Sequence, residues 1–251
     1  MLFNNIKYIL KVCSVSYLNS IPFVYGLENS GIKVDLSLEI PSVCGQKLLN
    51  NEVDIALLPI AVIPNLDYAD VVSPYCISSD GAVQTVCLFS EVPLEQIDSI
   101  LLDYHSRTSN ALVQLLSKHF WKIQPKFKTS DVDFESNIKG NTAGVIIGDR
   151  AYNYIDNFPY VYDLSEEWKK FSGLPFVFAC WVSNKILDSS FKKAFSSALQ
   201  FGISNLDLAL SEKSDAFDTQ IDKMKYLTEV INYDLTDEKR KSIQMFLDLI
   251  S

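Results

Sequence analysis

Residues 34–58 read VDLSLEIPSVCGQKLLNNEVDIALL, and three patterns follow one another within them. Val34, Leu36, Leu38 and Ile40 alternate with polar residues, the two-residue period of a strand. Pro41 and Ser42 stop that run. Serine suits the cap of a helix, so a helix running from Ser42 to about residue 51 is predicted. Residues 53–58 then carry one charge, Asp54, in an otherwise apolar run, as expected of a parallel strand buried on both faces. Working outward, residues 9–15 read as an earlier strand and 22–27 as a short helix opened by Pro22. Successive strand–helix–strand units of this kind call for a parallel sheet.

A second series follows. Strands are expected over 83–89, 100–103, 144–147 and 176–182, with helices over 110–120 and 166–171. From residue 186 onward the pattern is helical, with no strand signal. The expectation is an α/β protein of two lobes, residues 1–90 plus 183–251 in one and 91–182 in the other. Two passages near residues 90 and 182 would join them, and the C-terminal helices would return to the first lobe. Ligands of such folds sit in the cleft at the carboxyl ends of strands. That singles out the turns at 16–20, 59–62, 105–109 and 148–150.

Composition narrows the chemistry. The chain has 251 residues, enough for a substantial core. Its 22 Lys and Arg stand against 31 Asp and Glu, a net charge of −9. That balance argues against a nucleic-acid partner, which needs basic surface, yet permits one small anion in a locally positive pocket. His105 and His119 are the two histidines, so a multi-histidine metal site is excluded and no metal is expected. Cys13, Cys44, Cys76, Cys87 and Cys180 are odd in number, with no C-x-x-C pair, and read as buried reduced thiols. No apolar leader core marks the first residues, and the longest uncharged stretch, 12–27, holds Asn19, Pro22 and Gly26. A cytoplasmic protein with no membrane partner is expected; oligomeric state leaves no signal. Walker, G-x-G-x-x-G and G-x-S-x-G motifs are absent from the sequence.

Several residues are candidates for a site. Ser106-Arg107-Thr108-Ser109 follows a strand and opens a helix, so its hydroxyls and free amides either cap that helix or receive an anion. Arg107 faces either solvent or the opposite lobe. Ser16-Tyr17-Leu18-Asn19-Ser20 is a polar turn or part of a site. His105 is a default general base or a turn residue, while His119 suits a surface or C-terminal capping role. Asp149 either pairs with Arg150, holds the opposite loop or shapes a turn, and Thr85 is a strand hydroxyl of open facing. These residues alone lead to a two-lobed α/β protein that closes on a small anion.

A resemblance sharpens this. Ser16-Tyr17-Leu18-Asn19-Ser20-Ile21-Pro22-Phe23 resembles the opening motif of the chorismate dehydratases of menaquinone biosynthesis. Pro41-Ser42, Val53-Asp54-Ile55-Ala56-Leu57-Leu58-Pro59, Ser106-Arg107-Thr108-Ser109, Ile147-Gly148-Asp149-Arg150 and Gly173-Leu174-Pro175-Phe176-Val177-Phe178-Ala179 continue it in order. The likeness covers residues 12–182. It implies a periplasmic-binding-protein-like (type II) fold with a central interlobe cleft. It also implies a hydro-lyase of the futalosine route that takes chorismate, a small dicarboxylate, to 3-[(1-carboxyvinyl)oxy]benzoate without metal or organic cofactor. On the same resemblance Asn19 stands at the proton-abstraction position and Asp149 holds the departing hydroxyl. Ser106, Thr108 and Ser109 receive a carboxylate, with Arg107 and Tyr17 also binding substrate. Ser42 and Thr85 contact its other end, although Thr85 stands where the family has serine. A sister enzyme acting on cyclic dehypoxanthine futalosine and a non-catalytic small-anion binder are the alternatives.

Overall fold

The structure is a computed structural model that describes residues 9–217 and 219–251. Its first sheet contains β1 (Leu10–Val15), β2 (Val34–Glu39), β3 (Ile55–Pro59) and β4 (Asp70–Ser79). The second contains β5 (Val86–Ser90), β6 (Ser99–Leu102), β7 (Lys126–Thr129), β8 (Thr142–Ile147) and β9 (Tyr160–Asp163). The chain then returns to the first sheet as β10 (Phe176–Ser183) and β11 (Asn232–Asp234). The strand orders are β11-β4-β10-β3-β1-β2 and β7-β6-β8-β5-β9. β1 runs parallel to β2 and β3, and β6 parallel to β7 and β8; β10 and β5 run antiparallel to their neighbours. Every residue of β3 is buried, as its apolar run requires of a central strand.

Helices α1 (Ile21–Asn29), α2 (Pro41–Leu49), α3 (Thr108–Leu116), α4 (Asp149–Tyr152) and α5 (Leu164–Ser172) connect these strands. Helices α6 (Ser189–Ser204), α7 (Leu206–Lys213), α8 (Lys223–Lys225) and α9 (Asp237–Ile250) follow β10. α6 lies against α1 with glycines at the crossing. A Cβ on Gly202 would stand 1.7 Å from the Pro22 carbonyl oxygen, and one on Gly26 would stand 2.1 Å from that of Ala198. The backbones therefore touch, which tethers the C-terminal segment to the first lobe.

Sheet membership moves both expected boundaries. β5 already belongs to the second sheet, so the first crossing is at residues 80–85 rather than near 90. β10 belongs to the first sheet, so the return is at residues 173–175 rather than near 182. Apolar strands look alike in either sheet, and only pairing assigns them. Asp163 anchors the first crossing: Oδ2 accepts from Val83 N at 2.8 Å and Gln84 N at 2.6 Å, while Oδ1 caps α5 through Ser165 N and Glu166 N. Strands β4, β7, β9 and β11 carry no expectation from sequence, and β11 corrects the wholly helical reading beyond residue 186. Ser42 is not the cap of α2; Ile40 holds that position and Pro41 begins the helix. No helix among the described residues is long and apolar enough to cross a membrane.

Candidate functional site

The carboxyl ends of β1, β3, β6 and β8 meet between the lobes around a cleft with about 530 Å³ of empty space, its mouth included. All four turns singled out from the sequence reach it, through Tyr17 and Asn19, Pro59, Ser106 with Thr108 and Ser109, and Gly148. Thr85 joins them from the first crossing. The remaining wall is apolar, formed by such residues as Val15, Ile77, Ile147 and Phe178. An apolar slot with a few polar groups at its ends suits a small ring bearing charged substituents.

At the start of α3, the hydroxyls make local bonds and still line the cleft. Ser106 Oγ accepts from Ser109 N at 2.9 Å, and Thr108 Oγ1 accepts from Ala61 N of the first lobe at 3.3 Å. Each hydroxyl keeps its own proton to donate into the cleft. With the amides of the first helical turn, these groups set several donors, and no formal charge, at the cleft wall.

Asn19 faces the cleft from the opposite lobe. Its Oδ1 is buried and has no hydrogen-bond partner among the described residues. A buried, unpaired amide oxygen is costly and calls for a donor from a ligand or water. The Tyr226 hydroxyl lies 2.8 Å from Thr85 Oγ1, and the Tyr233 hydroxyl donates to the Asn19 carbonyl at 3.1 Å. Burial holds the Tyr226 hydroxyl protonated by raising its pKa. Tyr226 thus supports Thr85, and Tyr233 supports Asn19, from the C-terminal segment. Sequence reading missed both, because that segment carries no motif and the contacts join residues 141 and 214 positions apart.

His105 stands at the rim. Its Nδ1 and the Tyr17 hydroxyl are 2.6 Å apart, and its carbonyl accepts from Ser42 N at 2.9 Å. Burial is the largest influence on the imidazole and lowers its pKa, favouring the neutral ring. The Tyr17 phenol is held protonated by burial first and by the Asp103 charge second. Asp103, wholly buried, accepts from His105 N at 2.9 Å and from Ile147 N at 2.8 Å, and pairs with Arg150 at 2.7 Å. It ties the end of β6 to that of β8. An acidic residue immediately after a strand was the signal that could have exposed it.

Three expected site residues lie off the cleft wall. Arg107 is exposed, settling its open orientation towards solvent. Ser42 contributes its amide to His105, while its neighbour Pro41 lines the cleft. Asp149 sits behind the opening turn, its Oδ2 accepting from Leu18 N at 3.0 Å and its buried Oδ1 without a partner among the described residues. Desolvation pushes its pKa up to about 6, against the smaller opposing effects of the Leu18 amide and Lys223. Arg150 pairs with Asp103 and Glu135, not with Asp149.

Comparisons with known proteins agree with this architecture. The sequence model of a menaquinone-biosynthesis family matches residues 10–251. A crystal structure of a protein from Archaeoglobus fulgidus superposes with a TM-score of 0.78 at 14% identity, covering 97% of each chain. A Candida albicans protein described as having the generic periplasmic binding protein fold gives 0.67 at 17% identity, covering 97% of this chain and 90% of its own. The periplasmic aliphatic sulphonate binding protein of Escherichia coli gives 0.60 at 15%, covering 96% and 91%. At these identities the likeness carries the fold: two α/β lobes of the periplasmic-binding-protein type around a central cleft.

Proposed function

The chain belongs to this menaquinone-biosynthesis family, and on that premise we propose that it is a hydro-lyase converting chorismate to 3-[(1-carboxyvinyl)oxy]benzoate and water. The observation that carries the reading is the pairing, across one apolar cleft, of the unpartnered amide oxygen of Asn19 with the hydroxyl-rich start of α3. Chorismate has a ring to fill the slot and carboxylates for the donors of Ser106, Thr108 and Ser109.

The proton removed lies on the ring carbon bearing the enolpyruvyl ether. That carbon is vinylogous to the ring carboxylate, so the developing charge spreads into a group held by fixed donors, which stabilise it most in a dry cleft. Loss of the neighbouring hydroxyl then leaves an aromatic ring, which supplies the driving force. An amide is a poor base. Asn19 therefore orients the substrate, accepting from its hydroxyl through Oδ1, while the substrate's own side-chain carboxylate takes the ring proton and returns it to the leaving hydroxide as water. Such an arrangement gains its rate from positioning. Asp149 acts through the Leu18 amide to hold the turn that presents Asn19, not on the hydroxyl directly.

Purified protein incubated with chorismate, followed by mass spectrometry and proton NMR, tests the reading. An aromatic product lighter by one water, absent without protein, is expected. Chorismate that binds but persists indicates a non-catalytic binder, and turnover of cyclic dehypoxanthine futalosine instead indicates the sister activity; either overturns the proposal.

A further inference from the structure

The first lobe reaches the second through a small set of hydrogen bonds at the cleft rim, and His105 makes two of them. Its ring nitrogen meets the Tyr17 hydroxyl, and its carbonyl takes the Ser42 amide. His105 does not itself line the cleft, whereas Tyr17 does. The histidine is fixed from behind by its own lobe. Asp103 takes its backbone amide, Tyr104 packs edge-on with centroids 4.2 Å apart, and the Arg150 guanidinium lies 5.6 Å over the Tyr104 ring.

Tyr17 enters a slot shaped to receive it. At its hydroxyl end the ring meets that of His105 nearly edge to edge, the planes 23° apart and the centroids 6.1 Å apart. Over the face of that end is Gly148, whose φ of +78° suits glycine. A Cβ there would stand 2.8 Å from Tyr17 Cζ, so the missing side chain is what admits the ring.

We propose that His105 is a positioning residue that latches the two lobes shut by seating Tyr17 in the slot between its own ring and Gly148. It acts through Tyr17 and Ser42 and touches no ligand. The latch sets how often the cleft opens, whatever small molecule occupies it. The proposal thus goes beyond the chorismate reading and stands or falls without it.

Hydrogen exchange on the ligand-free protein tests it. The Ser42 and Ala61 amides belong to the first lobe but are bonded to His105 and Thr108 of the second, so their exchange reports rare opening of the cleft. Tyr17→Phe removes one hydroxyl, and His105→Ala removes the ring while keeping the carbonyl that Ser42 uses. Each is expected to speed exchange at Ser42 and Ala61 by roughly three- to tenfold, the worth of one hydrogen bond, and to leave the β3 and β8 amides unchanged. The double variant is expected to open no more than His105→Ala alone, since both remove the same contact. Unchanged exchange at Ser42 and Ala61, fully additive effects, or uniform acceleration across both sheets overturns the latch. Failure to turn over chorismate leaves these results intact.

Discussion

Asp149→Asn isolates what a buried, half-satisfied carboxylate costs this protein. In the folded state Asp149 is raised from its ordinary 3.8 to about 6, chiefly by desolvation. Between those values the folded chain holds more protons than the unfolded chain, so stability falls as pH rises. At about 1.4 kcal/mol for each tenfold change in proton affinity, the rise from 3.8 to about 6 costs about 3 kcal/mol, absent below pH 3.8 and fully present above about pH 7. Asparagine is nearly isosteric, keeps an oxygen for Leu18 N and carries no charge to desolvate. The variant is therefore expected to match wild type near pH 3.5 and to exceed it by roughly 2–3 kcal/mol at pH 8. Urea unfolding of both proteins at half-unit steps from pH 3.5 to 8 measures the difference. A gap that stays flat with pH, or that shrinks as pH rises, refutes the reasoning and places Asp149 in a solvated or cation-paired setting instead.

Other outcomes follow from the same geometry. Asn19→Ala should retain the fold and chorismate affinity within a few-fold while losing at least about a hundredfold in kcat, because it removes an orienting group, not a binding one; steady-state kinetics with calorimetric titration check this. Ser106→Ala combined with Thr108→Ala should weaken chorismate binding by roughly ten- to a hundredfold through two lost hydroxyl donors to a charged group; unchanged affinity by titration would move the anion site elsewhere. Gly202→Ala drives a methyl into the Pro22 carbonyl and should cost about 3 kcal/mol or more, seen in urea midpoints with α6 displaced from α1.

Legibility differed from level to level. β1, β2 and β3 are visible because period and burial coincide: β3 is apolar throughout and lies inside the sheet, while Pro41 marks the passage into α2. β7 is four residues with alternating lysines at a sheet edge, and β11 is three residues long; edge strands are held by pairing, not by burial, and leave little pattern. The lobe boundaries shifted for a related reason, since β5 and β10 are apolar strands that either sheet would accept.

For the site, local chemistry was enough to mark the turns. Polar runs just after apolar strands pick out Tyr17, Asn19, Ser106, Thr108 and Ser109, because strand ends in this class of fold converge on the cleft. Arg107 shared that run but points to solvent, as neighbouring residues at a helix start project in different directions. What the sequence by itself determined is the fold class, the four converging turns and the kinship with menaquinone biosynthesis, all written in short-range patterns. Only the tertiary structure decided that Tyr233 buttresses Asn19 and Tyr226 buttresses Thr85, that Asp103 fixes His105, and that Asp149 sits behind Leu18. Those are contacts between groups far apart in the chain, and a hydrogen bond of about 3 Å depends on where packing sets its two ends, not on the residues beside either one.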